Sequence, residues 1–217
     1  MKIIDASYEI IRPQLDVPDA KNAIYQLNEA AGRTCYKSEE LITPESAADF
    51  VRTVAKIHHE SVLEHTVMTV RFIVDRGISH ELVRHRVASF SQESTRYCNY
   101  TKGKFGSEIT VIKPFYLKEG TEAYDTWKNA MMAAEKAYFK LIEAGFKAED
   151  ARAVLPHSLK TEVVMTANMR EWRHVFRLRA AGETGKPHPQ MAEVMVPLLK
   201  ECQAYMPEMF GDIECPE

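Results

Sequence analysis

Two periods run through the hydrophobic positions of this chain. Residues 66–74, Thr-Val-Met-Thr-Val-Arg-Phe-Ile-Val, are rich in β-branched and aromatic side chains and predict a mostly buried strand. Thr161 to Ala167 alternate and predict a second strand; residues 1–12 and 108–112 predict two more, ended by Pro13 and Pro114. Helical spacing is clearest over 121–144, where Tyr124, Trp127, Met131, Ala134, Tyr138, Leu141 and Ile142 form one stripe closed by Gly145. Pro18 and Asp19 open a helix to about Ala31, with Gly32 as its stop, and Arg33 to Tyr36 follow as a loop or short strand. Thr43-Pro44-Glu45 starts another, with Phe50, Val51, Val54 and Ile57 on its apolar face. Ser61 and Glu64 have capping-box spacing for a short helical turn.

Arg76-Gly77 ends the long strand, and Ser79 caps a helix whose Leu82, Val83 and Val87 face the core. Arg84-His85-Arg86 falls in its last turns, and a loop rich in hydroxyl and amide groups follows. A short helix over 148–155 carries Arg152. Asn168 and Glu171 have a second capping-box pattern, opening a helix through Trp172, Val175, Phe176 and Leu178 to Arg179. Gly182 to Gln190 reads as a loop, and a last helix reaches about Tyr205 with a kink expected at Pro197. The elements have no β-α-β rhythm, and no Gly-x-Gly-x-x-Gly follows a strand, so a dinucleotide-binding doubly wound sheet is not supported. The pattern predicts a single α+β domain over 1–217, with helices packed on a mostly antiparallel sheet.

Composition sharpens this in three ways. At 217 residues with 45% hydrophobic and 27% charged positions, the chain can bury a large core without disulfides. A net charge of -3 argues against a broad nucleic-acid surface, so local basic clusters point to a specific anionic ligand. Four cysteines without a C-x-x-C pair read as free thiols in a reducing compartment. With no signal core and no run near the ~20 apolar residues of a membrane span, a cytoplasmic location is expected and no membrane partner.

The chemistry concentrates around Arg84-His85-Arg86. On a helix these side chains would lie about 100° apart and splay, suiting an extended anion or two ligands that meet. A solvated basic helix end is the competing reading. The Ser89-Phe-Ser91-Gln92-Glu93-Ser94-Thr95-Arg96 loop favours phosphate binding, since hydroxyls and guanidinium forks are its usual partners. Arg170, Arg173, His174 and Arg177 form a cationic stripe, of which Arg173 and Arg177 read as a solvent face. Asn168 and Arg170 lie at a helix N-terminus, where anions also bind. Arg152 is read equally as an ion pair or a ligand group. His58, His59 and His65 fit no metal-binding spacing, and Ser94 and Cys98 have no catalytic base nearby in sequence.

Arg84-His85-Arg86, seven residues and then Ser94-Thr95-Arg96-Tyr97 resembles the signature of the flavin-dependent thymidylate synthases. The likeness extends to His59-Glu60-Ser61, Glu64-His65, Arg152-Ala-Val-Leu-Pro156, Asn168-Met169-Arg170 and Leu178-Arg179, in order across most of the chain. The resemblance implies that family's α+β fold and the methylation of dUMP to dTMP. It implies methylenetetrahydrofolate as carbon donor, NADPH-reduced FAD as hydride source, and a homotetramer with shared active sites. Ser61, Arg84, His85, Arg86, Gln92, Asn168, Met169, Arg170 and His174 match positions that contact FAD. Glu81, Leu82, Val83, Arg84, Gln92, Glu93, Ser94, Thr95, Arg96, Arg152 and Arg179 match nucleotide-binding positions, and Arg179 matches the residue that polarises the uracil ring. Three positions depart from the pattern: Glu81 stands where glutamine can occur, Gln92 where many members carry glutamate, and His174 where some carry asparagine. Glu81 and Gln92 motivate an alternative, a non-catalytic nucleotide- or flavin-binding protein on the same scaffold.

Overall fold

The computed structural model describes residues 1–13, 19–101, 103 and 106–214; Pro18 and Cys215, read above as a helix start and a free thiol, lie outside them. The strand expected over 1–12 is two strands, β1 (Lys2–Ile4) and β2 (Ser7–Arg12). Helix α1 (Ala20–Tyr36) runs past its expected stop and absorbs Arg33 to Tyr36. Gly32 sits inside it, where an added Cβ would lie 2.3 Å from the Phe50 ring; the glycine admits a close approach to α2 (Ser46–Lys56) rather than ending a helix. Helix α2 begins after Pro44, with Glu45 at its N-cap. The expected short turn at Ser61 is a 3-10 turn, Glu60–His65.

Strand β3 (Val67–Asp75) alternates strictly: Met68, Val70, Phe72 and Val74 are buried and the residues between them less so, until Asp75 turns the chain. Helix α3 (Arg76–Leu82) follows at once. Its cap is Asp75, whose carboxylate accepts from the Ile78 N–H at 2.8 Å, and Ser79 lies inside the helix, donating to the Arg76 carbonyl at 2.8 Å. Because α3 stops at Leu82, Arg84-His85-Arg86 occupies a turn outside the helix. Val83 and Val87 are exposed rather than core, and the segment read as a loop begins as strand β4 (Ala88–Gln92). Then come β5 (Thr110–Ile112), α4 (Glu122–Glu143), α5 (Ala148–Ala151), a 3-10 turn Arg152–Val154 and β6 (Lys160–Asn168). Helix α6 (Met169–Phe176) passes into a π-helical turn, Arg177–Ala181, and α7 (Pro189–Tyr205) and α8 (Pro207–Phe210) close the order.

The fold is α+β. Four strands form an antiparallel sheet in the order β2-β3-β6-β4, and β1 pairs in parallel with β5, Lys2 opposite Thr110 and Ile4 opposite Ile112. The chain clusters into two compact units, Met1–Ser7 with Phe72–Arg84 and Ser91–Val163, and Tyr8–Arg71 with His85–Phe90 and Val164–Glu217. In the first, α4 lays its stripe against the β1/β5 pair: Tyr138, Ile109, Val111 and Leu159 are fully buried, with Tyr100 edge-on to Tyr138 at 5.6 Å. The second is built around Trp172, Phe176 and Phe210, with Met68 and Val70 from β3 and Val194, Met195 and Leu198 from α7 buried as well. Each fully buried side chain of this kind contributes about 1.5–3 kcal/mol. The Trp172 indole N–H satisfies itself on the Met68 carbonyl at 2.9 Å. Among the described residues no helix is long and apolar enough to cross a membrane.

Candidate active site

Of the residues matched to the flavin, the second unit holds Ser61, His85, Arg86, Asn168, Met169, Arg170 and His174, and the first holds Arg84 and Gln92. Asn168 ends β6 and caps α6, its Oδ1 accepting from the Glu171 N–H at 2.8 Å. That cap fixes where the next turn points. Arg170 and His174, one helical turn apart, face outward; Met169 is fully buried and its N–H bonds the Thr66 carbonyl, so its side chain belongs to the core. Two cavities flank this helix start, of about 400 and 430 Å³, and Glu60 and Arg170 line both. Ser61 opens on the first, and Asn168, His174 and Arg177 on the second.

These residues fit the diphosphate of a flavin dinucleotide. Arg170 is half-exposed, and among the described residues its ion pair is with the similarly exposed Glu64, a contact that a phosphate can replace at little cost. The N-terminus of α6 adds a partial positive charge, whereas Arg177 on the second cavity is already paired with Glu60 and Glu183.

His85 is the one buried member of the basic triplet, 5% exposed, between Arg84 and Arg86 that face outward. Its Nε2 accepts the Nε–H of Arg179 at 3.2 Å, its Nδ1 lies 3.4 Å from Glu171 Oε1, and the His174 ring meets it edge-on at 6.0 Å. Burial, then the Arg179 charge and His174, push the His85 pKa down to about 4. The imidazole is therefore neutral at neutral pH, and its contact with Glu171 is that of a ring N–H with a carboxylate rather than an ion pair. Burial in turn raises the Glu171 pKa, opposed by the His174 and Arg170 charges.

Arg173 and Arg177 of the cationic stripe are not a solvent face. Arg173 is 0% exposed. Its Nε donates to Glu60 at 2.8 Å, its two terminal nitrogens grip Asp212 at 2.7 and 2.6 Å, and it also reaches the Met209 carbonyl. Arg177 donates to the same Glu60 oxygen at 3.0 Å. Burial works to raise the Glu60 and Asp212 pKa values, but the arginines outweigh it and both carboxyls are held below their usual range. Glu60, next to Ser61, is thereby fixed against α6.

The first unit holds the residues matched to the nucleotide, apart from Arg179. Leu82 is fully buried and Val83 exposed. Beyond β4, Ser94 Oγ accepts from the Arg96 N–H at 3.3 Å and its carbonyl accepts from the Tyr97 and Cys98 N–H groups, closing a tight turn. Arg152 donates to the buried Thr95 hydroxyl at 3.3 Å, and Arg96 faces Glu149 at 3.4 Å. Glu93 is tied to Lys160 at 2.9 Å. The Gln92 amide donates to the hydroxyls of Ser79 at 2.9 Å and Thr161 at 3.2 Å. The Ser79 hydroxyl proton is already given to the Arg76 carbonyl, so this hydroxyl is an acceptor toward position 92 and suits the glutamine amide; a glutamate here would make Ser79 give up that bond. Arginine forks beside a serine turn make this segment suited to a phosphate. In the sequence Glu60 stands only inside a matched motif and Glu171 only in a capping pattern, neither with a role at the site; the burial of Arg173 and His85, which makes them partners, is not reported by periodicity.

Arginine forks beside a serine turn in one unit, and a helix start with a buried neutral histidine in the other, are groups of the kind that nucleotide- and cofactor-binding enzymes use. The family model described as "Thymidylate synthase complementing protein" matches residues 19–208. A flavin-dependent thymidylate synthase of Geobacter sulfurreducens is 33% identical over 201 residues, covering 86% of this chain and 84% of that protein. One from Thermococcus onnurineus is 41% identical over 125 residues, a match spanning 56% of this chain and 49% of that protein. Among solved structures, a UMP/dUMP methylase, PolB from Streptomyces cacaoi bound with 5-Br dUMP, shares the fold with a TM-score of 0.75 at 22% identity, covering 97% of this chain and 96% of that one. The chain belongs to the family of flavin-dependent thymidylate synthases.

Proposed function

We propose that this chain catalyses the reductive methylation of dUMP to dTMP, taking the carbon from methylenetetrahydrofolate and the hydride from FAD reduced by NADPH. The observation that carries this reading is the family match over residues 19–208, which contains every candidate residue named above. Bound FAD supplies the hydride chemistry. The chain supplies binding and electrostatics. Ser61, Asn168, Arg170 and His174 hold the cofactor, with Arg84, His85, Arg86 and Gln92 from the turn and strand after α3 and Met169 through its backbone. Glu81, Leu82 and Val83 with Arg84, then Gln92, Glu93, Ser94, Thr95, Arg96 and Arg152, hold the nucleotide.

Uracil C5 is a weak nucleophile until negative charge on the ring is stabilised. Arg179 remains protonated at any physiological pH, and a guanidinium at the ring's N–H and carbonyl stabilises that charge without needing proton exchange. A neutral His85 suits this arrangement, because an imidazolium would set a second cation against Arg179. The reading extends to a cytoplasmic homotetramer with active sites shared between subunits.

Purified protein should be yellow, or become so with FAD, and should oxidise NADPH. A colourless protein that binds dUMP but not FAD would replace this reading with the non-catalytic alternative.

A further inference from the structure

Glu171 belongs to neither the flavin nor the nucleotide set, yet its carboxylate is buried against the one buried histidine of the basic turn. Its relative exposure is 9%, and its Oε1 lies 3.4 Å from His85 Nδ1. On the opposite edge of the ring, His85 Nε2 accepts from Arg179 Nε at 3.2 Å. Arginine has donors and no acceptor, so Nε2 must be bare. The single proton of the neutral ring is then on Nδ1, facing Glu171. A carboxylate there favours that tautomer and anchors the ring edge-on to His174, while Arg170 is the other cation facing the carboxylate. The capping pattern of Asn168 and Glu171 thus uses only half of its usual partnership. The Asn168 side chain caps the helix, and the Glu171 side chain is directed to His85.

We propose that Glu171 is a positioning residue: it holds the His85 proton on Nδ1, so that Nε2 accepts from Arg179 and fixes the guanidinium presented to the pyrimidine. This rests on the reading of Arg179 as the ring-polarising group. It follows the logic by which a carboxylate fixes the tautomer of a functional imidazole, with arginine rather than a nucleophile or metal on the far nitrogen. The role needs no proton transfer. Glu171 acts through orientation, and a displaced Arg179 costs rate even though its charge is intact.

The experiment is long-range proton–nitrogen NMR of protein labelled with nitrogen-15 at its eight histidines, with the His85 signal assigned through His85→Asn. It is run beside steady-state kinetics on wild type, Glu171→Leu and Glu171→Gln. Wild type should show His85 as the neutral Nδ1–H tautomer. Glu171→Leu should mix the tautomers and lower kcat by roughly tenfold or more, with flavin content unchanged. Glu171→Gln keeps a carbonyl acceptor and should shift the Nδ1–H resonance and kcat in the same direction but less. A wild-type His85 protonated on Nε2 overturns the proposal whatever the variants do. So does a folded Glu171→Leu protein that loses only melting temperature, with tautomer and turnover unmoved. If Glu171→Leu does not fold, an unmoved Nδ1–H resonance in Glu171→Gln overturns it. Wild-type protein that forms no dTMP would refute the proposed activity instead, while the tautomer measurement would still decide the role of Glu171.

Discussion

Arg173 shows how far a single residue can depart from its apparent role. Burying a guanidinium without partners costs several kcal/mol, and here Glu60 and Asp212 offset that cost. Removing one partner strands the others, so Arg173→Met should destabilise the fold by about 3–5 kcal/mol in urea unfolding. A loss below about 1 kcal/mol would mean that the network is solvated. Arg179→Ala should abolish turnover while the protein retains flavin, read from absorbance after desalting. His85 adds a pH signature. Its folded pKa of about 4 lies below the ordinary 6.5, so the unfolded chain takes up a proton first as pH falls. Stability from this group is complete above pH 6.5 and is lost as pH drops toward 4, by about 3 kcal/mol in all. Glu60 and Asp212, held low by the arginines, lose theirs as pH falls through their own folded pKa values. A His85→Gln variant should flatten the slope between pH 6.5 and 4 relative to wild type, and an unchanged slope would contradict a buried neutral imidazole.

Among the elements, the long ones were legible and the short ones were not. Strands β3 and β6 and helix α4 carry enough repeats of period 2 or 3.6 to declare themselves. β4 has five residues of mixed polarity and reads as a loop because Ser89 and Ser91 face solvent and the Gln92 amide serves neighbouring hydroxyls rather than a core. The basic turn was misplaced onto α3 because Asp75, a strand residue, caps that helix one turn earlier than Ser79 would. Gly32 reads in the sequence as a stop because a helix-interior glycine is costly; its reason is the Phe50 ring on a different helix. Gly32→Ala gains about 1 kcal/mol of helix propensity but forces the ring aside, and should be net destabilising by about 1 kcal/mol. Shrinking the ring with Phe50→Leu should recover part of that loss in a double-mutant cycle. Additivity would show that the two helices do not meet there.

For the whole molecule, the candidate chemical groups are visible in the sequence and their partners are not. Arginines, serines and the Arg-His-Arg triplet are local in sequence. Their carboxylates are not: Glu60 lies 113 positions from Arg173, and Asp212 lies 39 from it. Only folding brings such groups together, and a sequence period cannot report it. A chain with the proposed activity makes dTMP with a bound flavin. The most direct test is product analysis of the purified flavoprotein with dUMP, methylenetetrahydrofolate and NADPH. The expected result is dTMP when all three are present and none when any one is omitted. A yellow protein that is reduced by NADPH and binds dUMP, yet forms no dTMP with methylenetetrahydrofolate present, would contradict it.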